Sequence, residues 1–228
     1  HTAESNAVSE CVEELDDLKE VWSAVSKPYE KLQTIKDQSW ASAIMRKVRR
    51  SLDDLLAEMR SMPNRIRQYE PFITLHDEVR GYINGHGLMT ELKTEALKER
   101  HWKTLCRQLR VNWILNDLTL GQVWDIDLQR HEGTIKDIIL VAQGEMALEE
   151  FLKQVKETWN TYELDLINYQ NKCRIIRGWD VLFDKLKENI NQVAAMKLSP
   201  YYKVFEEEAG LFKVLLIGVT QKLSTLLN

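Results

Sequence analysis

The sequence predicts a mainly α-helical protein, an elongated stack of antiparallel helical bundles with one short β-hairpin near 162–177. Three observations lead there. Apolar residues return every three or four positions along most of the chain, which is the period of a helix with one buried face. Residues that punctuate helices are scarce, with 9 Gly and 4 Pro among 228. In one stretch alone, around Tyr162–Arg177, the period shortens toward two, as a strand requires.

The first helix is expected behind Ser9, with Val12, Leu15, Leu18, Trp22 and Val25 as its stripe. Pro28 marks its end or the first turn of the next helix. Leu32, Ile35 and Trp40 continue the period less tidily. A longer helix carries Ile44, Val48, Leu52, Leu55, Leu56 and Met59, and stops ahead of Pro63 because the residue before a proline avoids helical geometry. A shorter element follows Pro71, with Phe72, Leu75, Val79 and Tyr82 buried, and Asn84–Gly87 reads as a turn. From Leu88 to Leu109 one helix is expected, bearing Leu92, Leu97, Trp102 and Leu105.

Asn116 and Asp117 form a connection, and Leu118, Leu120, Val123 and Trp124 make a second apolar cluster. Trp102, Trp113 and Trp124 fall eleven residues apart and anchor a core, since each ring can bury about 150–250 Å². Ile135, Ile138, Ile139 and Ala142 are the seam of the next helix, which breaks at Gln143–Glu145. Leu148, Leu152, Val155 and Trp159 are the seam of the one after it. In the hairpin, Gln170–Lys172 is the turn and Cys173–Arg177 the second strand, ended by Gly178. A two-stranded ribbon is not stable alone, so it should lie on a helix or on another chain. Leu182, Phe183, Leu186, Ile190 and Val193 form a further helix, and Ser199-Pro200 starts another.

Composition limits function. A chain 44% hydrophobic and 29% charged is folded, and a net charge of −4 gives no reason to expect a nucleic-acid partner. The basic cluster Arg46, Lys47, Arg49, Arg50 is followed at once by Asp53, Asp54 and Glu58, so it reads as a solvated helix face. Cys11, Cys106 and Cys173 are too scattered for a disulfide framework or a C-x-x-C motif, and read as buried or half-buried free thiols suited to a reducing compartment. The chain starts without an initiator Met or an apolar leader, as a piece of a longer polypeptide would. The longest apolar run, Val214–Val219, is well short of the ~20 residues that span a bilayer, so no membrane partner is expected.

No residues are assigned as catalytic, cofactor-binding or metal-binding. Phosphate-cradling loops, nucleophile elbows and paired metal-ligand histidines are not found in the sequence. His1, His76, His86, His101 and His131 have no second His or Cys at helical spacing. His86 reads as an exposed turn residue and His101 as a structural hydrogen-bond donor. Asp125 and Asp127 resemble a carboxylate pair but read better as a solvated lead into a helix. The tryptophans at 102, 113, 124 and 159 are placed as core anchors in preference to a ligand cage.

Several long strings resemble a known family. Residues 97–102 (LKERHW), 118–121 (LTLG), 141–152 (VAQGEMALEEFL), 159–165 (WNTYELD), 173–180 (CRIIRGWD) and 197–205 (KLSPYYKVF) are similar to the N-terminal region 2, or linker, of dynein heavy chains of the cytoplasmic class. The resemblance covers roughly 8–208. It implies a force-transmitting structural segment without nucleotide-binding or catalytic machinery of its own. Its implied partners are the AAA+ ring of the same heavy chain and, through an adjacent tail, the intermediate and light intermediate chains. Microtubules would be reached only through a stalk lying elsewhere. It also implies a cytoplasmic, cytoskeletal location. On that footing 1–63 joins tail to linker, 64–209 is the linker proper, and 210–228 does not look like the family's continuation. Pro63–Gly87 and Gln143–Glu145 are the expected soft points between rods. The rival reading is a spectrin-type helical scaffold binding partners through helix faces, from which the hairpin sets this chain apart.

Overall fold

A computed structural model describes residues 2–227, with side-chain surroundings from 8 to 226. It is mainly α, with one antiparallel two-stranded hairpin among the described residues. The chain divides into two compact units, His1–Ile138 and Ile139–Asn228.

The first unit is built from α1 (Thr2–Lys36), α2 (Met45–Arg60), the single turn α3 (Asn64–Arg67), α4 (Glu70–Leu92), α5 (Glu99–Leu109), the short α6 (Leu120–Trp124) and the start of α7 (Glu132–Asn160). Its core is aliphatic with tryptophan at the edges: Leu32, Leu52, Met59, Val79, Met89, Leu105 and Leu120 are essentially sealed from solvent.

Pro28 does not end a helix, because α1 runs through it. An interior proline costs a helix about 3 kcal/mol. Here the ring is itself buried, in line with Val21, Val25, Leu32 and Ile35. The packing of that stripe offsets the lost backbone bond. The stripe expected at Val12, Leu15, Leu18 and Trp22 is exposed instead. α2 matches its expected face, except that Ile44 lies outside it as an exposed cap.

Asn84–Gly87 is not a turn and Leu88–Leu109 is not one helix. Both lie across a different division, with α4 continuous from Glu70 to Leu92 and α5 starting afresh at Glu99. Each helical glycine costs about 1 kcal/mol relative to alanine. Buried Val79, Leu88, Met89 and Leu92 hold the helix across them, and Gly85 is itself buried, with Leu128 3.9 Å from where a Cβ would stand. The real break is at 93–98. Lys93 turns away to donate to the carbonyls of Trp40 and Ala41, with its ammonium 5.2 Å from the Trp40 ring centroid. Burial pushes the pKa of that ammonium down. His101 then starts α5, its Nδ1 accepting the Lys98 backbone N–H at 3.0 Å. His101 is thus structural as expected, with this ring nitrogen as acceptor where a donor was expected.

α5 ends on Arg110 in the left-handed region. Residues 110–119 return alongside the end of α1: Trp40 N–H donates to Leu118 O at 2.7 Å, and Leu120 N–H to Gln38 O at 3.0 Å. Thr119 and Gln122 then cap α6 reciprocally.

α7 also differs from expectation, since it passes through Gln143–Glu145 unbroken. Gly144 carries a local preference to break the helix, but its role is contact: a Cβ at that position would stand 2.2 Å from Tyr201 Cε2. The rest of the second unit is β1 (Leu166–Tyr169), β2 (Cys173–Ile176), α8 (Trp179–Ala195), two 3₁₀ turns (Met196–Leu198 and Tyr202–Phe205) and α9 (Glu206–Leu227). One core cluster holds Leu152, Val155, Val193, Met196, Tyr202, Phe205 and Ala209. A second holds Leu182, Leu186 and Leu216. Ser199-Pro200 therefore lies between two 3₁₀ turns and leads into the second, and the α-helix starts six residues after the proline.

The hairpin pairs Leu166 with Ile176 through Tyr169 with Cys173. Gln170 and Asn171 both take positive φ, 47° and 51°, the tight mirror-image turn whose twist suits a hairpin. The first strand begins at Leu166, four residues later than the alternation suggests, and Arg177 closes its base against Asp165 through a 2.7 Å backbone bond and a 2.6 Å ion pair. Apart from half-buried Ile176 the ribbon is exposed on both faces, and among the described residues no helix covers it. Cys11 and Cys173 are likewise exposed, against expectation, and Cys106 is half-buried as expected.

By length and composition, α9 with the 3₁₀ turn before it (Tyr202–Leu226) is apolar enough to cross a membrane. The six-residue run counted in the sequence understated it, because helix-wide composition adds the flanking Leu211, Phe212, Leu223 and Leu226. Ala209 and Leu216 on its inner edge are buried in the second unit's cores, which soluble packing also explains.

Candidate functional site

The residues set aside as chemically suggestive do not converge. Among the described residues no cluster of three or more His, Cys, Asp or Glu could hold a metal ion. Asp127 accepts the Arg130 backbone N–H at 3.2 Å, and so caps a turn. Asp125 follows α6 and faces Lys36. His86 is half-buried inside α4, with its Nδ1 enclosed and unpartnered. Burial first, and Arg49 second, push its pKa down. Arg49 pairs with Asp53 at 2.9 Å and also reaches the Ile83 carbonyl at 3.3 Å, so one member of the basic cluster ties α2 to α4. Trp102 contacts Trp113, while Trp124 stacks elsewhere, on Tyr82. The tryptophans therefore form no common cage in the first unit.

What the first unit does assemble is a polar clamp where α1, α4 and α6 meet. Lys36 ends α1, where a cation also favours the helix dipole. Its ammonium donates to Glu78 Oε1 at 3.2 Å, lies 4.0 Å from Asp125 Oδ1, and sits 5.7 Å from the Tyr82 ring centroid. Tyr82 donates its hydroxyl to the same Glu78 carboxylate, and its ring stacks on Trp124 with centroids 4.4 Å apart and planes 14° from parallel. Gly121 lets α6 approach: a Cβ there would stand 3.1 Å from Lys36 Cβ and 3.2 Å from its carbonyl oxygen. A cleft of about 280 Å³ opens beside the clamp, lined by Glu78, Tyr82, Gly85, Trp124 and Asp127.

Burial, then the bond to Glu78, pushes the Tyr82 phenol up to about 12, against the opposing influence of Lys36. Burial is the largest single influence on Lys36 and lowers its pKa. The bonds to Tyr82 and Glu78 outweigh it, and the net shift is upward. Both groups hold their protons more tightly folded than unfolded. Their contribution is therefore complete below pH ~10, and the phenol's share is lost as pH rises toward about 12. Thermal melts followed by circular dichroism should show the wild-type chain losing stability across that range faster than Tyr82→Phe. Parallel curves for the two proteins would mean the phenol carries no such linkage.

The second unit has its own clamp. The Trp159 indole donates to Asn189 Oδ1 at 2.8 Å, tying α7 to α8, and Lys185 lies over both Trp159 and Tyr162. Lys156 pairs with Glu208 and stands 5.8 Å from the Phe212 ring centroid, tying α7 to α9. Sequence reasoning found the tryptophans but not these clamps, because Lys36, Glu78, Lys93 and Asn189 look like ordinary surface residues in a linear pattern. The signal that could have exposed Lys36 is its position at the junction of an apolar stripe and a polar turn.

Against known proteins, residues 8–228 match the family model described as dynein heavy chain, N-terminal region 2. The chain is 61% identical over 198 residues to a cytoplasmic dynein heavy chain of Drosophila melanogaster, and 52% over 198 residues to that of Dictyostelium discoideum. It is 51% identical over 207 residues to that of Caenorhabditis elegans. These alignments cover 87%, 87% and 91% of this chain and 4% of each relative. The family match includes residues 210–228.

Proposed function

Because this chain belongs to the dynein heavy chain N-terminal region 2 family, we propose that it is the force-transmitting linker segment of a cytoplasmic dynein heavy chain. In this reading ATP is hydrolysed by an AAA+ ring elsewhere in the same polypeptide, and a stalk elsewhere holds the microtubule. An adjacent tail carries the intermediate and light intermediate chains. The segment works in the cytoplasm as part of a dynein complex, converting changes in the ring into displacement of the tail.

The observation that carries this reading is the use of long unbroken helices cross-tied by half-buried polar side chains. α1 and α4 run 35 and 23 residues. Each passes through glycine or proline that would break an unsupported helix, and packing holds each in place. At about 1.5 Å per residue these are rods of roughly 35–50 Å. A rod transmits load only if its ends are fixed, and the Lys36 clamp fixes the end of α1 to α4 and α6.

The test is Lys36→Ala in an intact cytoplasmic dynein heavy chain. ATP turnover should stay close to wild type while stall force in an optical trap falls. Unchanged stall force with the clamp removed would overturn the proposal. The purified 228-residue chain should show no ATP turnover of its own.

A further inference from the structure

We propose that the N-terminal half of α1, together with the groove it forms with α4, is the docking surface for a basic amphipathic helix of another polypeptide. Val8, Cys11, Leu15, Leu18 and Trp22 follow one another at spacings of three and four, the seam of a coiled coil. All five are exposed, Leu15 at 67% and Trp22 at 60%. They are not the face by which α1 joins its own unit, since that face is Val21, Val25, Pro28, Leu32 and Ile35. The seam runs on into a groove of about 510 Å³ between α1 and α4, floored by Val25, Leu75 and Pro71 and walled by Trp22 and Tyr29.

Charge selects the occupant. Between Val8 and Trp22 stand six acids, Glu10, Glu13, Glu14, Asp16, Asp17 and Glu20, against a single Lys19. Arg65 pairs with Asp17 and Glu20. Among the described residues no ion pair reaches Glu10, Glu13, Glu14 or Asp16. Glu14 flanks one edge of the seam and Lys19 the other, Glu10 and Asp16 stand one step further round the helix on either side, and Glu70 stands at the rim of the groove. A second copy of this helix would set acid against acid, at a cost in a pairing this short. A helix with leucines on one face and a net positive charge of lysine or arginine, placed chiefly on the edge that faces Glu10 and Glu14, meets the apolar seam and the acids together.

The experiment uses the 228-residue chain and fluorescein-labelled peptides of about three heptads, with leucine at the seam positions and lysine beside them. The control peptide carries glutamate in place of each lysine. Anisotropy should show saturable binding of the basic peptide, weakened by added NaCl, and little binding of the acidic one. Leu15→Glu should raise the Kd at least about tenfold, while Leu215→Glu on the exposed face of α9 should leave it unchanged. Both positions are exposed, and unaltered circular dichroism would verify the fold of each variant. Equal binding of the two peptides would overturn the proposal, as would indifference to Leu15→Glu. A wild-type dimer by light scattering that becomes monomeric in Leu15→Glu would also overturn it, by giving the seam to a second copy.

Discussion

Gly144→Ala is expected to destabilise the second unit, although alanine is the better helix former by about 1 kcal/mol. The opposing effect is steric. An added Cβ would stand 2.2 Å from Tyr201 Cε2, 2.3 Å from Cδ2 and 2.8 Å from Cγ. The last distance decides the sign. A clash with a ring tip is relieved by a small rotation, but a clash reaching Cγ requires the ring to leave its seat or the backbone under it to move. Forcing a methyl into a filled site costs typically about 1–3 kcal/mol, so after the propensity gain of about 1 kcal/mol the net loss should be up to about 2 kcal/mol. The background reverses it: with Tyr201→Ala already in place, Gly144→Ala should become stabilising by up to about 1 kcal/mol. Urea unfolding of the four proteins completes the cycle. A stabilised single Gly144→Ala variant would show that Tyr201 does not hold the helix at that point.

The same residue explains what was legible in the sequence and what was not. Helical periodicity located α2, α8 and most buried positions, because a helix with one dry face must repeat that way. The hairpin was legible from its change of period, though its first strand was placed four residues early. Misplaced boundaries came from glycine and proline. Pro28, the Asn84–Gly87 segment and Gly144 each carry a local preference to break, and each is overridden by contacts distant in sequence or by burial of the residue itself. The true break at 93–98 depends on Lys93 finding the carbonyls of Trp40 and Ala41, some fifty residues earlier. The eleven-residue tryptophan spacing carries no geometric meaning either. Trp102 lies in α5, Trp113 in the segment after it, and Trp124 in α6 against Tyr82. The clamps were invisible because polar residues acquire partners only once three elements have met.

Trp102→Ala is expected to have the larger effect, a loss of about 3–5 kcal/mol from the first unit. Trp102 is buried, at 7% exposure. Its ring meets Trp40 edge-on, with centroids 5.9 Å apart and planes at 79°, and meets Trp113 at 6.3 Å and 60°. Truncation therefore leaves a void bordered by α5, the segment after it and the turn beyond α1. Trp40 cannot collapse into that void freely. Its backbone N–H is bonded to Leu118 O and its carbonyl to Lys93, and the Lys93 ammonium sits over its ring. A void that its neighbours cannot fill lies at the costly end of the range. Trp113 is only half-buried, so Trp113→Ala should cost markedly less. Trp102→Phe should recover part of the loss, since it keeps an aromatic edge against Trp40. Combining Trp40→Ala with Trp102→Ala should show a coupling of about 0.5–1.5 kcal/mol. With total stability of order 5–15 kcal/mol, Trp102→Ala alone should move the urea midpoint far enough to read directly. A shift corresponding to less than about 1 kcal/mol would mean that this aromatic row does not hold the end of α1 to α5. The anchor that the Lys36 clamp needs in order to bear load would then be missing.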